Sequence, residues 1–216
     1  CIILSNHLYT EPFDVQIRTQ LWLHEIIHIN NKNRFPSILN TSKANLYYLN
    51  NLYTLFDEYE ANRLSFKMTD SLFPNLSKRY KKHTGITVKG FLQSLAKDSH
   101  YYDKIKEEIF CFRLHSNVDI FLQNIDQSFD EVSKSIIYLY SYFDHESKLM
   151  RLEPLIEKTE FHNNYTKELI LFYRKKFKDG SADLTDGVEI MKKYMTNFGM
   201  LFEDIDQGAY CHVLDI

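Results

Sequence analysis

The chain has 216 residues, with 26 Lys and Arg against 29 Asp and Glu, and its formal net charge of −3 gives no global electrostatic case for nucleic-acid or membrane binding. A hydrophobic share of 44% and a charged share of 25% are those of a globular protein, long enough for one sizeable domain or for a compact domain with a helical extension. Cys1, Cys111 and Cys211 stand far apart with no ligand spacing, no apolar run approaches a membrane span and no secretory signal precedes the first motif, so a reducing, cytoplasmic location is expected.

In chain order, Cys1–Leu8 (CIILSNHL) is an apolar, β-branched run that reads as a short strand, and strand signals are confined to it. A chain that begins at Cys1 rather than Met is expected to be a fragment or a processed product. Thr10 as N-cap and Pro12 in the first turn start a helix that carries Ile17, Leu21, His24 and His28 and stops in Asn30–Asn33. After Pro36, a second helix is predicted from Thr41 or Ser42 to about Met68, with Leu46, Leu49, Leu52, Tyr53, Phe56 and Leu64 at helical spacing. No glycine occurs before Gly85. Beyond it, helices are predicted at 88–97, 102–113, 117–151, 155–178 and 184–202, with Asp119, Pro154 and Asp183 as start signals and Gly180 and Gly187 as punctuation. The basic runs Lys78–His83 and Tyr173–Lys178 read as solvated helix faces, and the aromatic run Ile136–Phe143 as helix packing. The expected fold is therefore α+β and predominantly α-helical.

The chemistry lies in Leu21–Asn30, LWLHEIIHIN. Residues four apart on a helix stack one turn apart, so His24 and His28 share a face and can both reach one zinc ion. Glu25 points to a neighbouring angle, suited to a general base acting on a zinc-activated water. Ile26 and Ile27 turn to other faces and are expected to anchor the helix in the core. From the chain's own His and Glu content a chance HExxH is about a 2% event; the alternative is a partly buried histidine pair with satisfied hydrogen bonds. The other histidines form no second pair at this spacing, and Asp144, His145 and Glu146 fan out around a helix, so no second metal is expected there.

Catalytic zinc needs a third protein ligand, and Asp57–Phe66 (DEYEANRLSF) offers two glutamates on the second helix. The helical wheel places Glu60 nearer the apolar stripe. Glu58 instead has Asn62 one turn later, placed to orient a liganding imidazole. HEIIH followed by EYEAN resembles the gluzincin arrangement, HExxH followed by ExxA(D/N), and most closely the ImmA/IrrE-like metallopeptidases. The resemblance covers roughly residues 17–66. It implies zinc ligands His24, His28 and Glu58, general base Glu25 and a supporting Asn62, with Glu60 as the fallback ligand. The segment Arg63–Pro74 departs from the family pattern in being bulkier, longer and more charged. Only about twenty residues precede the motif, where zincins place several strands. Residues 1–85 are thus expected to form a zincin-like metal-binding core, truncated or reduced at its N-terminus, and 86–216 a helical region that packs on it or binds a partner.

The expected function is zinc-dependent hydrolysis of a peptide bond in a peptide or protein substrate. The family resemblance implies a helix-turn-helix regulator as target. No membrane and no direct nucleic-acid contact is expected. The alternative is a non-catalytic regulatory or protein-interaction module on a zincin scaffold. The presence of Glu25, for which such a module has no chemical need, favours catalysis.

Overall fold

Six helices and one hairpin make up the computed structural model, which describes residues 15–35, 41–74, 88–146, 163–206 and 208–216. The predicted strand Cys1–Leu8, the caps at Thr10 and Pro12, and Pro154 lie outside these residues. Helix α1 spans Val15–Arg34 and α2 spans Lys43–Leu72. Ser42 is the N-cap of α2, its hydroxyl accepting from the Asn45 amide at 3.3 Å, and the helix outlasts its expected end at Met68 until Phe73 caps it just before Pro74. Helix α3, Val88–His115, is continuous where two helices were predicted. Its Asp98–Tyr101 stretch holds neither Gly nor Pro, so nothing interrupts the hydrogen-bond ladder. Helix α4, Val118–Glu146, is capped by Asn117, whose Oδ1 accepts from the Ile120 amide at 3.1 Å; the expected start signal Asp119 lies in its first turn.

Helix α5, Asn164–Asp179, starts at the Asn163 cap and stops at Gly180, whose φ of 62° provides the left-handed terminus. A short 3-10 turn, Thr185–Gly187, leads into α6, Val188–Thr196. There the predicted helix 184–202 is corrected. The chain turns at Gly199 (φ 80°) into β1, Met200–Ile205, which pairs antiparallel with β2, Gly208–Val213, in the register Phe202↔Cys211. A side chain at Gly199 would meet the Ile109 side chain at 2.7 Å and the Leu214 carbonyl at 2.9 Å, so the turn closes only on glycine. Met200, Phe202 and Cys211 are buried, and packing of that alternating face decides for strand over helix.

Helix α2 is the axis of the core. Leu52, Leu55, Phe56 and Tyr59 are at most 2% exposed, and α2 meets α1, α4, α5, α6 and the hairpin. Burying each such side chain stabilises the fold by about 1.5–3 kcal/mol. The buried tyrosines pair as well as pack. Tyr173 Oη donates to the Leu52 carbonyl at 2.9 Å, and Tyr59 donates to Asp144, which also receives the Arg174 guanidinium at 3.0 Å. The run Tyr173–Lys178 is therefore no uniformly solvated face: Tyr173 is fully buried, Lys176 is 9% exposed, and Arg174 is tied to Asp144.

Helix α1 inverts the usual pattern. It buries Gln16, Gln20, His24 and Asn31 together with Ile27, and exposes Val15, Trp22, Ile26 and Ile29. Ile27 anchors the helix as expected, but Ile26, 47% exposed, does not.

Tyr48 joins α2 to the hairpin by accepting from the Phe202 amide at 2.6 Å and donating to the Phe202 carbonyl at 3.0 Å. Tyr48→Phe leaves both backbone groups unpaired in a buried place. Urea denaturation is expected to show a loss of about 1–3 kcal/mol; a variant as stable as the parent would remove Tyr48 from this role.

Candidate metal centre

Helices α1 and α2 run past each other in opposite directions. Phe35 packs on Tyr53, Asn31 meets Asp57, and His24 meets Glu58. This alignment brings three ligand-type atoms together. His24 Nε2 and His28 Nε2 are 2.8 Å apart, and Glu58 Oε2 lies 3.3 Å from the first and 3.6 Å from the second. Zinc bonds of 2.0–2.1 Å in tetrahedral geometry place ligand atoms ~3.3–3.4 Å apart, so this donor set fits zinc once the two imidazole nitrogens part by about half an ångström. Among the described residues, His24, His28 and Glu58 are the one group of three His, Cys, Asp or Glu side chains close enough to hold a metal ion.

Glu60 takes no part in the cluster. It is the more buried glutamate, as the helical wheel expects, but it faces Arg34, whose guanidinium donates to it at 2.9 Å. Asn62 sits one turn from Glu58 and donates through Nδ2 to the Glu58 backbone carbonyl at 3.0 Å. The orientation of His28 comes from Asp57, whose Oδ2 lies 2.7 Å from His28 Nδ1 while its Oδ1 accepts from Asn31 Nδ2 at 2.7 Å. A carboxylate on the far nitrogen fixes the ring and raises the basicity of the nitrogen that faces the cluster.

The electrostatics favour a positive charge at the centre. Burial works against a protonated His28, yet the hydrogen bonds to Asp57 and Glu58 overcome it and hold the imidazole up at about 10. Burial likewise opposes the Glu58 carboxylate, and contact with the two imidazoles holds its carboxyl well below the usual range. Two carboxylates thus converge on an imidazole pair, an arrangement that a divalent cation satisfies in place of a proton.

Helix α4 closes the cluster from the third side. Tyr138 Oη donates to Glu58 Oε2 at 3.0 Å, and the Lys134 ammonium, paired with Asp130 at 2.9 Å, lies 3.7 Å from Glu58 Oε1. Burial and the Glu58 charge push the Tyr138 phenol above its ordinary value, so it remains a donor. Sequence reasoning missed Asp57, Asn31, Lys134 and Tyr138. Asp57 carried a signal, being a carboxylate next to the ligand glutamate, and Asn31 lies one turn past His28. Nothing in the aromatic run around Tyr138 separates it from a packing residue.

Beside the cluster a cleft of about 310 Å³ opens, with His24, Glu25 and Tyr138 in its lining. Glu25 is exposed on its rim. A depression of about 390 Å³ elsewhere, between Tyr102 and Lys192, includes no comparable convergence of donors. Compared with models of known protein families, with curated proteins and with solved structures, the chain matches none.

Asp57→Ala is expected to lower zinc affinity about 10–100-fold in competition with a chromophoric chelator, whereas Asn62→Ala leaves it nearly unchanged. Equal zinc affinity in Asp57→Ala and the parent would show that Asp57 does not support the centre.

Proposed function

We propose that the protein is a zinc-dependent metallopeptidase with a zincin-like core of the gluzincin type, acting in the cytoplasm on a peptide or protein substrate. The reading is carried by one observation, the convergence of His24 Nε2, His28 Nε2 and Glu58 Oε2 at the wall of a cleft that has Glu25 on its rim. No helix among the described residues is long and apolar enough to cross a membrane, which is compatible with this setting.

His24, His28 and Glu58 would hold the ion, which when bound supplies a Lewis acid to polarise the scissile carbonyl and acidify water. Glu25 is the base, its carboxylate taking the proton of the attacking water and passing it to the leaving amine nitrogen. Its exposure lets both water and substrate reach it. Asp57 keeps the His28 ring fixed through this transfer, and Tyr138 keeps the Glu58 oxygen aimed at the ligand position. Both act before substrate arrives, so the centre needs little reorganisation during reaction. The resemblance of HEIIH and EYEAN to ImmA/IrrE-like metallopeptidases favours a helix-turn-helix regulator as substrate.

Purified protein is expected to bind about one zinc per chain. Glu58→Gln should lose it, Glu60→Gln should keep it, and Glu25→Gln should keep it while losing peptide hydrolysis by several orders of magnitude. Zinc loss in Glu60→Gln but not in Glu58→Gln would reassign the third ligand, and a zinc-free parent protein after metal supplementation would end the enzymatic reading.

A further inference from the structure

The cleft beside the metal centre has features that zinc ligation does not use. Gln20 lines it with only 7% of its surface exposed. A carboxamide placed there can bond to a polar group that enters the cleft. Asn62, 8% exposed, lines the same cleft; its Nδ2 is engaged by the Glu58 carbonyl, which leaves its Oδ1 as an acceptor. Gln20 thus offers both a donor and an acceptor, and Asn62 a second acceptor. Between them the walls are apolar, formed by Leu21 on α1, Phe66 on α2 and the Tyr138 ring on α4. Phe66 is braced from behind by Tyr142 and by the stacked His145 ring, so this wall is rigid.

The chemistry of these groups selects a ligand. Carboxamides complement a backbone amide, which has one N–H and one C=O. The apolar walls complement an uncharged side chain. Among the described residues no Lys or Arg lines the cleft, so a phosphate would find no counter-charge from them. Its volume of about 310 Å³ is at the small end of ligand pockets, room for one large side chain and the peptide unit that bears it.

We propose that this cleft is the side-chain pocket of the metal centre and takes an extended peptide with a Leu-, Met- or Phe-sized residue beside the scissile bond, its backbone amide held by Gln20 and Asn62. The inference rests on the peptidase reading for the words "scissile bond" and on the cleft alone for the binding preference. The two can therefore fail separately.

The test uses the zinc-loaded Glu25→Gln full chain, so that binding is read without turnover, against a positional-scanning set of end-capped hexapeptides. One peptide position is expected to favour Leu, Met or Phe over Ala, Asp or Lys by at least about tenfold in affinity. Gln20→Leu should weaken the best peptide by about five- to tenfold. Phe66→Ala and, on the opposite wall, Leu21→Ser should each flatten the preference, with zinc content at parent level showing that the variants fold. A flat profile, a preference for Lys, Arg, Asn or Gln at that position, or a preference that survives both wall variants would overturn the proposal. In parallel, the zinc-loaded parent should cleave the best-bound peptide next to the apolar residue. Selective binding without cleavage would refute the peptidase reading and leave the pocket assignment standing.

Discussion

Asp57 and Glu58 are adjacent carboxylates on one helix, each with less than a fifth of its side chain in water, and their like charges must be answered from outside that helix. Helix α1 supplies the answer. His28 bonds to Asp57 and faces Glu58, His24 faces Glu58, and Asn31 completes Asp57. This one requirement explains why α1 turns His24 and Asn31 inward while Ile26 and Ile29 look outward. A helix placed by apolar burial can slide or rotate at modest cost. One placed by paired carboxylates cannot, because each broken contact leaves a buried charge uncompensated. The ligand geometry inherits that rigidity.

The same carboxylate joins the two halves of the chain. Lys134 and Tyr138 belong to a helix that the sequence assigns to a region separate from residues 1–85, yet both reach Glu58. A buried network one residue away strengthens the connection, with Tyr59 and Arg174 meeting on Asp144 and Arg63 stacked 4.1 Å over the Phe177 ring. Glu58 and Tyr59 thus point to two neighbouring polar clusters, the first suited to a cation and the second already neutralised by arginine. The arginine-paired cluster is structural, since its charges cancel within the fold.

The parts of this arrangement that are legible in sequence are those written in short local spacings. His24 and His28, four apart, announce a shared helix face, and Ser42 announces a helix start, whereas the Asn163 cap was passed over in favour of Pro154. The choice between Glu58 and Glu60 was not legible from burial, because Glu60 is the more buried of the two; Arg34, 26 residues away, claims it. Tyr138 was illegible for the same reason, being one of several aromatics whose partner lies 80 residues off. The hairpin was misread because Met191, Tyr194, Met195 and Phe198 continue a helical period almost to Met200. What ends it is a steric demand at Gly199, set by Ile109 on another helix and Leu214 beyond the hairpin.

The reach of Tyr138 has a temporal side. Its bond to Glu58 closes a loop of 80 residues, and contacts between distant positions form late because their loop-closure entropy must be met before any gain is felt. In a growing chain, the histidine pair and Glu58 emerge together and can dock as a local helical hairpin well before α4 exists. During that interval Glu58 lacks the phenol that fixes its rotamer, and the cleft lacks one of its walls. A nascent chain can therefore bring His24, His28 and Glu58 together before Tyr138 and the α4 wall of the cleft are in place.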